Sequence, residues 1–129
     1  KMKTPEIGVL RISLADNNSL FKGLNKELRV LQWHSYEVHD LPPNTNLLAT
    51  SPQCKVQAFS SGNAFGLQFH VEQTNETVPQ WACVPEYKSA LENTLGLNAL
   101  EKFKNDVEKN LSIFNSSARI IYDNFKKII

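Results

Sequence analysis

Gly66-Leu67-Gln68-Phe69-His70-Val71-Glu72 is the stretch around which the rest of this sequence arranges itself. Its alternation predicts an extended strand over 65–71, with Phe65, Leu67 and Phe69 on one side and Gly66, Gln68 and His70 on the other. His70 then emerges at a strand end, beside the polar loop 73–77. His70 and Glu72 are two apart on extended backbone, so both side chains share a face. A carboxylate next to an imidazole holds one ring nitrogen protonated. The other nitrogen is left to take a proton from a nucleophile. Taken alone, the pair also reads as a surface His beside a solvated Glu.

Upstream, the chain reads as strands. Ile7 to Leu14 suits a strand, with the shift from Ile7/Val9 to Ile12/Leu14 predicting a bulge at Leu10-Arg11. Asn17-Asn18-Ser19 offers an N-cap, and Leu20 to Gly23 one turn closed by glycine. A short strand is expected over 29–33. Asp40-Leu41-Pro42-Pro43-Asn44 is turn chemistry, because neither proline can donate to a ladder. Strands are expected over 47–50 and 56–59, the second joined to 65–71 by a hairpin at Ser60-Ser61-Gly62-Asn63.

Downstream, the period changes. Thr77 is placed to cap a helix with Pro79 at an early position. Cys83 is expected inside a helix, and Gly96 separates that region from the tail. Leu100, Phe103, Val107, Leu111, Phe114, Ala118, Ile121 and Phe125 recur at spacings of three and four, one face of a long helix. The polar side mixes both charge signs, so burial against a sheet or another helix is favoured over a membrane surface.

Composition bounds the function. The 129 residues are the size of one small domain; 41% are hydrophobic, 21% charged, and the net charge is +1. Nothing here favours nucleic acid or an anionic membrane. No apolar run approaches the ~20 residues that span a bilayer. Lys1 to Pro5 lacks the apolar segment of a signal peptide, which points to the cytoplasm, and Met2 suggests a start other than the natural one. Cys54 and Cys83 are then free thiols. No Cys-x-x-Cys, His-Glu-x-x-His or glycine-rich phosphate loop occurs, so neither a metal site nor a cofactor is expected.

Several motifs in one order resemble the class I glutamine amidotransferases. They are Trp33-His34-Ser35-Tyr36, Leu41-Pro42, Leu47-Leu48-Ala49-Thr50-Ser51, Gln57-Ala58-Phe59 and the Gly66 to Glu72 stretch. In that family a Trp/Tyr-His-Ser-like strand end precedes a Leu-Pro turn, an "LLA-S" strand, a "QAF" strand and a "G-QFHPE" strand. The match runs from about Pro5 to Glu72. The tail adds Asn115-Ser116-Ser117-Ala118-Arg119 and Tyr122-Asp123-Asn124-Phe125. The GMP-synthase-like or stand-alone members are nearest in pattern.

The resemblance implies a three-layered, flavodoxin-like α/β domain with a mixed sheet, of which this chain is the C-terminal part. It would be strand-rich over 5–72 and helical over 77–127. The implied chemistry is a glutaminase half-reaction: a Cys thiolate attacks the side-chain amide of glutamine, ammonia leaves for an acceptor, and water releases glutamate. His70 would be general base and acid, and Glu72 would orient it. Ser35 and Tyr36 would hold the α-amino and carboxylate groups of glutamine. Gln68 would sit beside the pair, a structural bond inside the sheet being at least as good a reading.

Two departures stand out. Val71 replaces the family's proline, which keeps the strand extended and restores a backbone donor. The nucleophile, a Gly-x-Cys-x-Gly turn placed before the region matching Pro5, does not occur in the 129 residues. Neither Cys54 nor Cys83 has the flanking glycines. The chain alone is then inactive and needs the N-terminal part of its domain. A synthase domain or subunit would take the ammonia, and an exposed packing face favours a homo-oligomer. The alternatives are a non-catalytic assembly remnant and a γ-glutamyl hydrolase of the same fold.

Overall fold

The longest ladder pairs β1 (Glu6–Leu14) with β2 (Glu27–His34), antiparallel, from Glu6 opposite His34 to Ser13 opposite Glu27. The structure is a computed structural model describing residues 1–129. The β1–β2 register is unbroken, so the bulge expected at Leu10-Arg11 is not there. The shift in apolar phase has another cause. Glu6 and Ile7 are both buried, so the start of β1 is covered on both faces, and alternation appears only from Arg11 onward. The irregularity lies instead in β3, between Leu47 and Ala49.

β3 (Asn46–Thr50), β4 (Ala58–Ser61) and β5 (Ala64–Leu67) complete one sheet in the order β2-β1-β3-β4-β5, and all its ladders are antiparallel. β4 and β5 form the expected hairpin across Gly62-Asn63, although β4 starts two residues later than alternation suggested. β2 is longer than the strand expected over 29–33. β5 is shorter than the strand expected over 65–71.

The reason for the short β5 is topological. β5 and β2 are opposite edges of the sheet. Yet His70 pairs with Leu31 of β2 through two backbone bonds of 2.9 Å. Three residues beyond Leu67 reach only about 10 Å. The sheet therefore curls, as twisted antiparallel sheets do, until its two edges nearly meet. Phe69 sits inside the curl and packs against Phe21, ring centroids 6.1 Å apart.

Three helices follow. α1 (Thr77–Trp81) buries Val78. Thr77 does not cap it: its hydroxyl accepts from the Thr74 N–H at 3.0 Å. Cys83 lies between helices and not within one, because Pro85 opens α2 (Pro85–Leu95) at a first-turn position where its missing N–H costs nothing. Gly96, with φ of 104°, ends α2. α3 (Ala99–Ile128) carries the apolar stripe, and Phe103, Val107 and Phe114 are buried in a core shared with Ile12, Val30, Leu31 and Trp33. Removing the fully buried Phe114 ring would cost about 3–5 kcal/mol. Two polar ties fix α3 along the sheet. Arg29 donates to Asn110 at 2.8 Å, and the Asn124 amide donates to the carbonyls of Leu20 and Lys22. α1 meets the end of β2 through Trp81, whose ring lies edge-on to Trp33.

Candidate functional site

His70 is positioned twice over. Its backbone is locked to Leu31, and its ring lies edge-on to Trp81 of α1 at 4.9 Å between centroids. Its Nδ1 faces Oε1 of Glu72 at 2.7 Å. The carboxylate can only accept, so Nδ1 carries the proton and Nε2 is left with a lone pair in the neutral ring. The other Glu72 oxygen accepts the Val71 backbone N–H at 2.9 Å. The His70 hydrogen bond is the main cause that lowers the Glu72 carboxyl to about 2; partial burial opposes it, and backbone donors help. A proline at 71 would have no N–H to give.

Trp81 also stacks edge-on against Trp33 at 6.0 Å, and Trp33 packs on Phe103 at 5.1 Å and donates from Nε1 to the Tyr87 carbonyl. This aromatic wedge joins the His70 segment to the end of β2. Ser35 and Tyr36 follow directly on that strand. They lie four and five residues beyond Leu31, about 13 Å or more along extended chain. Neither makes a hydrogen bond to His70 or Glu72. Their carbonyls are both occupied: Ser35 O accepts the Met2 N–H at 2.9 Å, and Tyr36 O faces Nδ1 of His34 at 2.7 Å. The Tyr36 side chain is 66% exposed.

Gln68 makes no hydrogen bond to His70 or Glu72. Its backbone N–H donates to the Gln57 carbonyl at 2.8 Å, and the residue lines a small cavity with Val38, Val56, Gln57 and Phe59. Cys54 is buried after β3. Burial first, then the charges of Glu6 and Glu37, pushes its thiol up to about 11. Cys83 is exposed. No group of three His, Cys, Asp or Glu side chains is gathered as a metal site would require, and no helix is long and apolar enough to cross a membrane.

Sequence reasoning passed over two features. Trp81 lies eleven residues past His70 and meets it only because α1 folds back. Glu6 is 2% exposed in β1, where it binds Ser51 at 2.8 Å and Gln57 at 2.6 Å and faces His34 at 3.2 Å. Burial opposes its charge, but the bonds from His34, Ser51 and Gln57 outweigh burial and hold its carboxyl below the ordinary range. Glu6 stands at the first position of β1, one residue before the strand expected from Ile7, and nothing in the local pattern marked it as buried.

Residues 1–80 match the family model described as glutamine amidotransferase class-I. The chain belongs to that family. Among curated amidotransferase relatives, a subunit of the glutamine-hydrolysing GMP synthase of Thermococcus kodakarensis is 41% identical over 69 residues, 52% of this chain and 37% of that protein. Its counterpart from Saccharolobus solfataricus is 40% identical over 70 residues, 53% and 37% of the two chains. A glutamine amidotransferase structure from Thermotoga maritima superposes with a TM-score of 0.82 at 28% identity, over 97% of this chain and 53% of that one. This member of the family therefore spans about half the length of its structural relative and less of its curated ones.

Proposed function

We propose that this chain supplies the base side of a glutaminase site, with His70 as general base and acid and Glu72 as its orienting carboxylate. The observation that carries this reading is the 2.7 Å contact from His70 Nδ1 to Glu72 Oε1, which leaves Nε2 free. The thiolate that would attack the amide comes from outside these 129 residues, since no Gly-x-Cys-x-Gly turn occurs in them. Cys54, buried and with its thiol raised to about 11, is a poor substitute.

In the first step Nε2 takes the thiol proton and returns it to the leaving ammonia. In the second it takes a proton from water as the oxygen attacks the γ-glutamyl thioester; the C–S bond breaks, glutamate leaves, and the ring returns the proton to the departing thiolate. Glu72 holds the ring in one tautomer throughout and favours the imidazolium.

Ser35 and Tyr36 belong to the glutamine-binding side in this reading. Each peptide N–H points opposite its own C=O. With the Ser35 and Tyr36 carbonyls turned to internal donors, the N–H groups of Tyr36 and Glu37 face the other way and have no backbone partner. Two adjacent free N–H groups suit the α-carboxylate of an amino acid. Gln68 lies on the same stretch as His70, and we assign it a supporting place in the sheet. The aligned relatives are named as one subunit of a glutamine-hydrolysing GMP synthase, and by that likeness the ammonia passes to a separate synthase subunit.

The test is ammonia release from L-glutamine by this chain combined with a segment bearing the Gly-x-Cys-x-Gly turn. His70→Ala should lower turnover by at least about 100-fold. Preferential hydrolysis of γ-glutamyl amines would instead favour the hydrolase reading.

A further inference from the structure

The glutaminase reading leaves one buried polar cluster without a task. Glu6 in β1, His34 opposite it in β2, Ser51 after β3 and Gln57 before β4 meet inside the curled sheet. The amide of Gln57 donates to Glu6 and to Ser51 Oγ, and its oxygen accepts from Gln32 at 2.9 Å. Glu6, Gln32 and Gln57 are almost fully buried, and the His34 side chain is 9% exposed. Placing such groups in a core costs free energy unless each finds its partner.

We propose that Glu6 and His34 form a buried ion pair that sets the backbone of Ser35 and Tyr36, which makes both of them positioning residues for the substrate side of the site.

His34 Nδ1 lies 2.7 Å from the Tyr36 carbonyl, which can only accept. Nε2 lies 3.2 Å from Oε1 of Glu6. That oxygen already accepts from Gln57 at 2.6 Å, and the other accepts from Ser51 at 2.8 Å; against the cost of burial these bonds hold the carboxyl below its ordinary range, so the proton between Glu6 and His34 rests on the imidazole. A neutral imidazole has one N–H; a ring set between two acceptors needs two. His34 is therefore doubly protonated, and its charge is matched by Glu6. The other titratable groups in this region are Tyr36 and Glu37, on the same loop, and Cys54, whose backbone N–H binds Ser51 Oγ.

The consequence runs outward. The imidazolium fixes the Tyr36 carbonyl, and with it the direction of the Glu37 N–H. Hydrogen bonds in such a chain polarise one another, so that N–H becomes a better donor. This role rests on the glutaminase reading only for the identity of what binds.

The experiment uses the full chain, labelled with ¹⁵N, and the variant Glu6→Gln. In the wild type both ring nitrogens of His34 should resonate as protonated. In Glu6→Gln the backbone spectrum should persist while Nε2 shifts to the unprotonated range. L-glutamine is then titrated while the Tyr36 and Glu37 amides are followed. The half-saturating concentration should rise about tenfold in the variant, the size of one network coupling. A single protonated nitrogen on wild-type His34 overturns the ion pair. An unchanged half-saturating concentration overturns the positioning role. If wild-type amides ignore glutamine, the substrate reading falls, and the ring nitrogens still decide the ion pair.

Discussion

Nδ1 of His70 lies 2.7 Å from Oε1 of Glu72 with one residue between them, and that residue, Val71, donates its own N–H to the other oxygen of the same carboxylate. The family pattern has proline there, which has no such donor. In this chain the carboxylate is therefore gripped from two sides.

The first prediction is the pH dependence of that grip. The Glu72 carboxyl is lowered from 4.5 to about 2, chiefly by the His70 hydrogen bond. A depressed carboxyl stabilises the fold fully above its unfolded value and loses that contribution as pH falls through the folded one. The stability difference between wild type and Glu72→Gln should thus be constant above pH 4.5 and shrink towards pH 2. Glu72 is 66% exposed, so solvent screening limits the difference to under about 1 kcal/mol. Urea unfolding at a series of pH values checks it.

Val71→Pro removes one donor and leaves the His70 bond in place. The Glu72 carboxyl should then titrate higher than in the wild type but still below 4.5, read by NMR of the side-chain carboxyl carbon. An unchanged titration would mean that the Val71 N–H does not hold Glu72 in solution.

The thiols should differ sharply towards an alkylating reagent. Cys83 is exposed, whereas Cys54 is fully buried with its thiol raised to about 11. Iodoacetamide at neutral pH should add once, at Cys83, by peptide mapping. Alkylation of Cys54 in the folded chain would contradict the packing after β3.

Gly66 has a packing reason. It stands opposite Phe59 in the hairpin, and a Cβ built there would lie 2.4 Å from the Phe59 ring. Gly66→Ala must push that ring aside at a cost of about 1–3 kcal/mol. Chemical denaturation measures it, and pairing with Phe59→Leu should recover part of the loss.

The local patterns in this chain were legible; its long-range meetings were not. The stripe from Leu100 to Phe125 gave α3, because a 3.6-residue period survives whatever it packs against. Ser60 to Asn63 gave the hairpin for a similar reason, since turn chemistry is local. The bulge at Leu10-Arg11 failed because burial on both faces of early β1 imitates a phase shift. The strand over 65–71 was cut at Leu67 because the sheet curls, which no alternation reports. At the site, His70 and Glu72 were readable because two residues on extended backbone share a face. Glu6 meeting Ser51 and Gln57, and Trp81 meeting His70, depend on sheet closure and on how α1 folds back.

The most direct test of the central claim, that this chain carries the base side of the site without its nucleophile, is the intact mass of the chain after treatment with an electrophilic glutamine analogue. The expected result is no adduct on the chain alone beyond any slow, His70-independent alkylation of the exposed Cys83. A stoichiometric adduct on Cys54 or Cys83 that disappears in His70→Ala would contradict it and make this chain a complete enzyme.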